Sequence, residues 1–200
     1  MLHYVTTNPG KLREARRYLG DDTIDSYDYD YPEIQATTLE PIAAEGAREA
    51  YREVGGPVVV DDAGLFIDAF DGFPGPYSSF VENTIGVERV WNLTSAVDNR
   101  EAAFRCVLAY CDGEGFDDGV ERDDNALPVK CFTGVVEGTI VAPRGSGGFG
   151  YDPIFEHDGA TFAERTADEK TSSLTAAGRW RASPTGTMGD SGQLQQRLDY

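Results

Sequence analysis

The stretch VVVDDAGL, residues 58–65, runs an apolar segment into two adjacent acids, Asp61 and Asp62. A buried carboxylate is costly unless it is paired or bound to a cation. Neighbouring residues of a strand point to opposite faces, so one acid is expected to face a cleft and hold Mg²⁺, with the other turned away. A turn-forming Asp pair that caps the next segment would use the same letters. Glu33, in YPEIQ, is a candidate second carboxylate. In TTNPGK, small polar residues and a glycine precede a helical pattern, which offers backbone N–H groups to a phosphate, with Lys11 adding a cation. A capped strand-to-helix turn reads identically. In GGFGYDPIF, glycines around Phe149 let the backbone bend closely around a ligand, with an aromatic face for a base and Asp152 as an acceptor. A β-bulge beside a core aromatic is the competing reading. Lys170 follows a charged helix start, where a solvated lysine is the default.

These residues need elements to position them. LHYVTT reads as a strand and NPGKLREARRYLG as a turn plus helix, with Leu12, Ala15 and Leu19 inward and Gly20 as its stop. TIDSYDYDYPEIQ reads as extended. EPIAAEGAREAYREVG is a helix with Ile42, Ala43, Ala47 and Ala50 inward, and PVVVDDAGLFIDAF is a buried strand expected to break at the acid pair. GVERVWNLTSAV is a helix. REAAFRCVLAYCDG and VKCFTGVVEGTIVAPRG are antiparallel strands joined by an acidic loop, and GGFGYDPIF is a turn into a strand. Strands alternating with helices, then a strand-rich stretch, imply an α/β fold with a mixed sheet.

With 200 residues, 40% of them hydrophobic, the chain can bury a core as one domain, which leaves room for two lobes. A formal charge of −18 argues against an electrostatic grip on nucleic acid. The acids are scattered through turns and helix faces, as in a solvated coat suited to high salt. Lys11, Lys130 and Lys170 are the only lysines. Cys106, Cys111 and Cys131 lack metal-ligand spacing, and the apolar runs around Cys106 and Cys131 predict buried free thiols. No leader pattern or membrane-length apolar run is present, which predicts a cytoplasmic protein that binds no membrane.

Taken in order, TTNPGK, YPEIQ, VVVDDAGLFIDAFDGFPGPYSS, GGFGYDPIF, TFAE and DEK closely resemble the inosine triphosphate pyrophosphatase family from Tyr4 to Lys170. The resemblance implies an elongated mixed sheet with flanking helices, two lobes around a nucleotide cleft, and a homodimer. It also implies Mg²⁺-dependent hydrolysis of non-standard purine nucleoside triphosphates (ITP, dITP, XTP) to the monophosphate and pyrophosphate. Carried over by position, Thr6, Thr7, Asn8, Pro9, Gly10 and Lys11 would cradle the triphosphate. Glu33 and Asp62 would hold Mg²⁺, and Asp62 would activate the water that attacks the α-phosphorus. Ala63 stands where many members have Ser, leaving a backbone contact. Phe149, Gly150, Tyr151 and Asp152 would surround the purine, and Lys170 would reach the nucleotide. A silent nucleotide-binding protein and a pyrophosphatase for modified pyrimidine nucleotides are the alternatives.

The family carries Ser-His-Arg shortly after Glu-Lys, and this chain does not; His3 and His157 do not substitute. Beyond Lys170 the apolar periodicity ends, and only Asp190 and Asp199 of the 35 acids lie there. A one-nucleotide frameshift just after Lys170 would account for the change; a divergent but selected tail is the alternative. Taking the third base of each codon with the first two of the next, the frame from Thr171 to Thr187 can encode Val-Ile-Ser-His-Arg-Gly-Arg-Ala-Leu-Ala-Arg-Phe-Ala-Asp-Trp-Tyr. That frame restores the missing motif and an amphipathic helix. Residues 1–170 are therefore expected to form the nucleotide pyrophosphatase domain, and 171–200 to be a frameshifted tail in place of the terminal helix.

Overall fold

The computed structural model describes residues 2–7, 11–12, 16, 24–115, 127–166, 169 and 181–182. Among these residues eight strands form one sheet: β1 (Leu2–Val5), β2 (Ile24–Tyr27), β3 (Val58–Ile67), β4 (Glu101–Cys111), β5 (Lys130–Ile140), β6 (Phe155–His157), β7 (Ala160–Thr161) and β8 (Arg181–Ala182). Their order is β2-β1-β3-β4-β5-β6-β7, with β8 added beside β5. β1 runs parallel to β2 and β3, while the later pairings are antiparallel. The sheet is thus mixed, as the alternation of elements implied.

Helix α1 (Leu39–Val54) covers one face of the sheet. Ile42, Ala43, Ala47 and Ala50 are buried as their spacing required, and the three alanines let the helix lie close against Val58, Val60, Val107 and Ala109. Gly55, in the left-handed region at φ 71°, ends the helix by returning its N–H to the Tyr51 carbonyl. On the opposite face, Tyr4, Val59, Tyr110 and Phe132 form a second cluster with Leu12. Lys11, Leu12 and Arg16 are helical as expected, whereas Ala15, Leu19 and Gly20 lie outside the described residues.

A third core lies at the far end of the long strands. There α2 (Ser78–Ile85) and α3 (Val87–Thr94) contribute Val81 and Val90 to a cluster with Leu65, Ile67, Val136, Ile140, Ile154 and Phe155. Phe104, Phe155 and Phe162 join it as an aromatic trio, with ring centroids 4.6 to 5.8 Å apart. Strands β3, β4 and β5 span both ends, and ten residues extend about 33 Å.

Two expectations need correction. β3 does not break at the acid pair but continues to Ile67. Its partner supplies an unbroken antiparallel ladder past the acids, with Asp61 opposite Leu108 and Asp62 opposite Val107. The chain turns only at Asp68–Phe70. Cys111 and Cys131 are buried free thiols, but Cys106 is only half-buried. Its side chain lies on the face of β4 that floors a cavity.

Candidate active site

β1 pairs with β3 only at Val58 and Val59. Past that point one edge of β3 has no strand beside it among the described residues, and the cavity opens there, with a volume of about 480 Å³. Further along, the edge is closed by the turn at Gly75–Tyr77. The Leu65 N–H donates to Ser78 Oγ at 2.8 Å, and that hydroxyl donates to the Gly75 carbonyl at 2.6 Å.

At one end of the cavity, charged groups converge. Thr6, Thr7, Lys11, Glu33, Asp61, Asp62 and Ala63 line it together. The Thr6 N–H extends the sheet by donating to the Tyr27 carbonyl (3.2 Å), so that amide is committed to the fold rather than to a phosphate cradle. Asn8, Pro9 and Gly10 lie outside the described residues. Asp62 Oδ1 accepts the Ala63 N–H at 2.9 Å, while Oδ2 is buried with no hydrogen-bond partner among the described residues. Burial pushes the Asp62 carboxyl up to about 7; Lys11 and the Ala63 N–H oppose the rise, and Glu33 and Asp61 add to it. Lys11 is partly buried, which works against its charge, but Asp61, Cys106 and Asp62 outweigh this and raise its pKa.

The loop carrying Glu33 is seated by Tyr31. Gly46 of α1 makes room for that ring, since a Cβ there would lie 2.5 Å from it. The Tyr31 hydroxyl is itself pushed well up by burial, with Lys11 opposing and the surrounding acids reinforcing the shift.

Asp61 does not look away from the site, as strand alternation suggested for the acid beside Asp62. Its carboxylate pairs with Lys11 at 3.0 Å and accepts the Tyr4 hydroxyl at 2.5 Å. Alternation does separate the two acids, but the end of β1 opens the cavity to both faces of β3. No cluster of three or more His, Cys, Asp or Glu positioned for a metal occurs among the described residues. Two carboxylates, one with an orphaned buried oxygen and a carboxyl pushed up to about 7, nevertheless suit a hard divalent cation that retains water ligands.

The other end of the cavity is differently made. The Phe149 ring is 49% exposed and offers a flat apolar face beside Gly150. Tyr151 and Asp152 border the cavity, yet both are buried and serve the loop. Asp152 Oδ2 accepts the Phe149 N–H at 2.9 Å, and the Tyr151 hydroxyl donates to the Ser78 carbonyl at 2.8 Å. Gly148, at φ 73°, is required by this fold-back: a Cβ there would lie 2.1 Å from the Asp152 carboxylate. Glu82 of α2 also lines this end, its carboxyl raised by burial and by Asp152. Nothing in the local sequence marks Glu82, Tyr4 or Ser78 as site residues, because their roles arise only when distant segments meet. Lys170 lies outside the described residues, as does the 171–200 tail except for the short strand Arg181–Ala182.

No helix among the described residues is long and apolar enough to cross a membrane. A profile of the Ham1 family matches residues 2–177. A dITP/XTP pyrophosphatase of Thermococcus kodakarensis is 46% identical, over 84% of this chain and 87% of the relative. An inosine triphosphate pyrophosphatase of Schizosaccharomyces pombe is 37% identical, over 84% of this chain and 85% of the relative. Among solved structures, the Staphylococcus aureus Ham1 protein superposes with a TM-score of 0.71 at 25% identity, covering 100% of this chain and 98% of that one. A Coxiella burnetii HAM1 protein gives 0.69 at 33% identity, covering 86% of this chain and 91% of that one. Strands β1 to β7, in their order, and the cleft-lining residues all fall within the matched span, and the chain belongs to the Ham1 family.

Proposed function

We propose that this fold hydrolyses non-standard purine nucleoside triphosphates (ITP, dITP and XTP) to the monophosphate and pyrophosphate, clearing them from the cytoplasmic nucleotide pool. The observation that carries the reading is Asp62: a carboxyl with an unpartnered oxygen, in the same cavity as a charged lysine. The names of the relatives support the same chemistry. Lys11, with Thr7 and the residues Asn8, Pro9 and Gly10, holds the polyphosphate. Asp62 orients a water toward the α-phosphorus and takes its proton, and pyrophosphate leaves. Glu33 and Asp62 would hold Mg²⁺, which when bound neutralises phosphate charge. Phe149 stacks on the base, while Tyr151 and Asp152 keep its loop in place. Phe80 and Leu93, exposed on α2 and α3, support a homodimer contact there, which sedimentation of the Phe80→Asp variant tests.

The tail qualifies this reading. The family profile ends at residue 177, and the relatives above leave a similar share unmatched on both sides, as expected when a segment is replaced rather than deleted. We therefore read residues 171–200 as the product of a one-nucleotide frameshift. The chain as it stands then lacks the donors that recognise a 6-oxopurine, and it is a weak catalyst. Pyrophosphate release from ITP, XTP and ATP with Mg²⁺ tests both points. The frame-restored chain should cleave ITP and XTP far faster than ATP, and the 200-residue chain should be slow on all three. Equal cleavage of ATP and ITP by the restored chain would contradict the substrate class. A gene whose alternate frame lacks Ser-His-Arg codons would remove the frameshift.

A further inference from the structure

The phosphate end of the cavity holds an acid that the proposed reaction does not use. Asp61 is almost enclosed, its side chain 8% exposed, whereas that of Lys11 is 27% exposed. The acid lies behind the ammonium. We infer that Asp61, braced by Tyr4, is a positioning residue that fixes the Lys11 ammonium at the polyphosphate end of the cavity and holds it off Asp62.

The geometry follows from the sheet. Tyr4 sits beside Val59 in the parallel β1–β3 register, and Val59 and Asp61 share a face because strand side chains alternate. The Tyr4 ring, packed among Val59, Tyr110 and Phe132, therefore presents its hydroxyl to Asp61 Oδ1 from a fixed base. Oδ2 of the same carboxylate pairs with Lys11, and the Asp61 backbone carbonyl accepts from Lys11 as well, at 3.1 Å. A lysine stem has four rotatable carbons and loses much freedom when it grips a ligand. Two acceptors on one residue remove that freedom before the ligand arrives, which is preorganisation. Without them the next carboxylate along the strand, Asp62, is the alternative partner, and a Lys11–Asp62 pair would neutralise the group that handles water.

This inference rests on the assignment of Lys11 to the polyphosphate. Its test is titration calorimetry of inorganic tripolyphosphate with Mg²⁺ into the full 200-residue chain, which contains all of these residues. Charge counting alone says that Asp61→Asn, by removing a negative charge from an anion site, should tighten binding. A positioning role says the reverse: affinity should fall about tenfold, the scale of a lost charge-assisted hydrogen bond. Tyr4→Phe changes no charge and keeps the ring, and it should weaken binding by about threefold, the scale of a neutral hydrogen bond. It also carries the test if Asp61→Asn fails to fold. Equal or tighter binding by Asp61→Asn, or unchanged binding by Tyr4→Phe, overturns the inference. Absence of tripolyphosphate binding by the parent chain overturns the assignment of Lys11, and this inference with it.

Discussion

The two ends of the cavity solve opposite problems. At the Lys11 end, Asp62 keeps a buried oxygen without a partner among the described residues, and like charges crowd it from Glu33 and Asp61. At the Phe149 end, where the proposed function seats the base, the carboxylate of Asp152 and the hydroxyl of Tyr151 are each satisfied by a backbone group of the surrounding frame. A buried polar group left unsatisfied costs about 1–3 kcal/mol, so the first arrangement opposes folding and the second supports it. The contrast separates groups held ready for a ligand from groups that hold the scaffold. Tyr151 and Asp152, which the sequence placed around the purine, line the cavity and also hold its frame.

The largest effect should come from Asp62. In the frame-restored chain, Asp62→Asn should lower turnover on ITP by about 10²–10⁴-fold, the range for a general acid–base group. Its stability should move the other way. Folding raises the Asp62 pKa from 3.8 to about 7, so the folded state favours the protonated carboxyl. That contribution is complete below pH 4 and is lost as pH rises through about 7. Asn cannot ionise, so without divalent cation the variant's melting temperature should exceed the parent's at pH 8, with the gap closing toward pH 4. Added Mg²⁺ should stabilise the parent and not the variant. A gap that does not depend on pH would place the strain elsewhere.

The base end gives smaller and differently distributed effects. Phe149→Ala should weaken nucleotide binding about tenfold, in line with one lost stacking contact, and leave tripolyphosphate affinity unchanged. Asp152→Ala should cost about 2 kcal/mol in urea unfolding, because it strands the Phe149 N–H in a part-buried loop. If Asp152→Ala instead kept full stability and lost only nucleotide affinity, the carboxylate would be a base-reading group and the contrast between the two ends would fail.

The smallest effect concerns the whole surface. With 35 acids against 17 basic residues, self-repulsion should destabilise the chain in dilute buffer. The melting temperature should rise modestly from low to molar KCl as this repulsion is screened. A flat or falling curve would mean that the acidic coat has no bearing on folding in salt.

Much of this protein was legible in its letters. The period of Ile42, Ala43, Ala47 and Ala50 determined which face of α1 is buried, because helical geometry repeats every 3.6 residues whatever lies opposite. Apolar runs located β3, β4 and β5, and the combination TTNPGK, VVVDDAGL and GGFGYDPIF brought out the cavity-lining segments, since short-range chemistry resides in contiguous residues. The frameshift proposed for the tail rests on the letters alone, because codon structure constrains neighbouring frames. The tertiary structure alone decided that β3 continues through its acids, because the ladder with β4 outweighs the local turn preference of an Asp pair. It alone decided that Asp61 meets Lys11 and Tyr4, and that Ser78 joins β3 to the base loop. Those contacts link residues 50, 57, 13 and 73 positions apart. Side-chain periodicity says which way a residue points within its own element, but not what a distant segment, brought in by sheet pairing, will set in front of it.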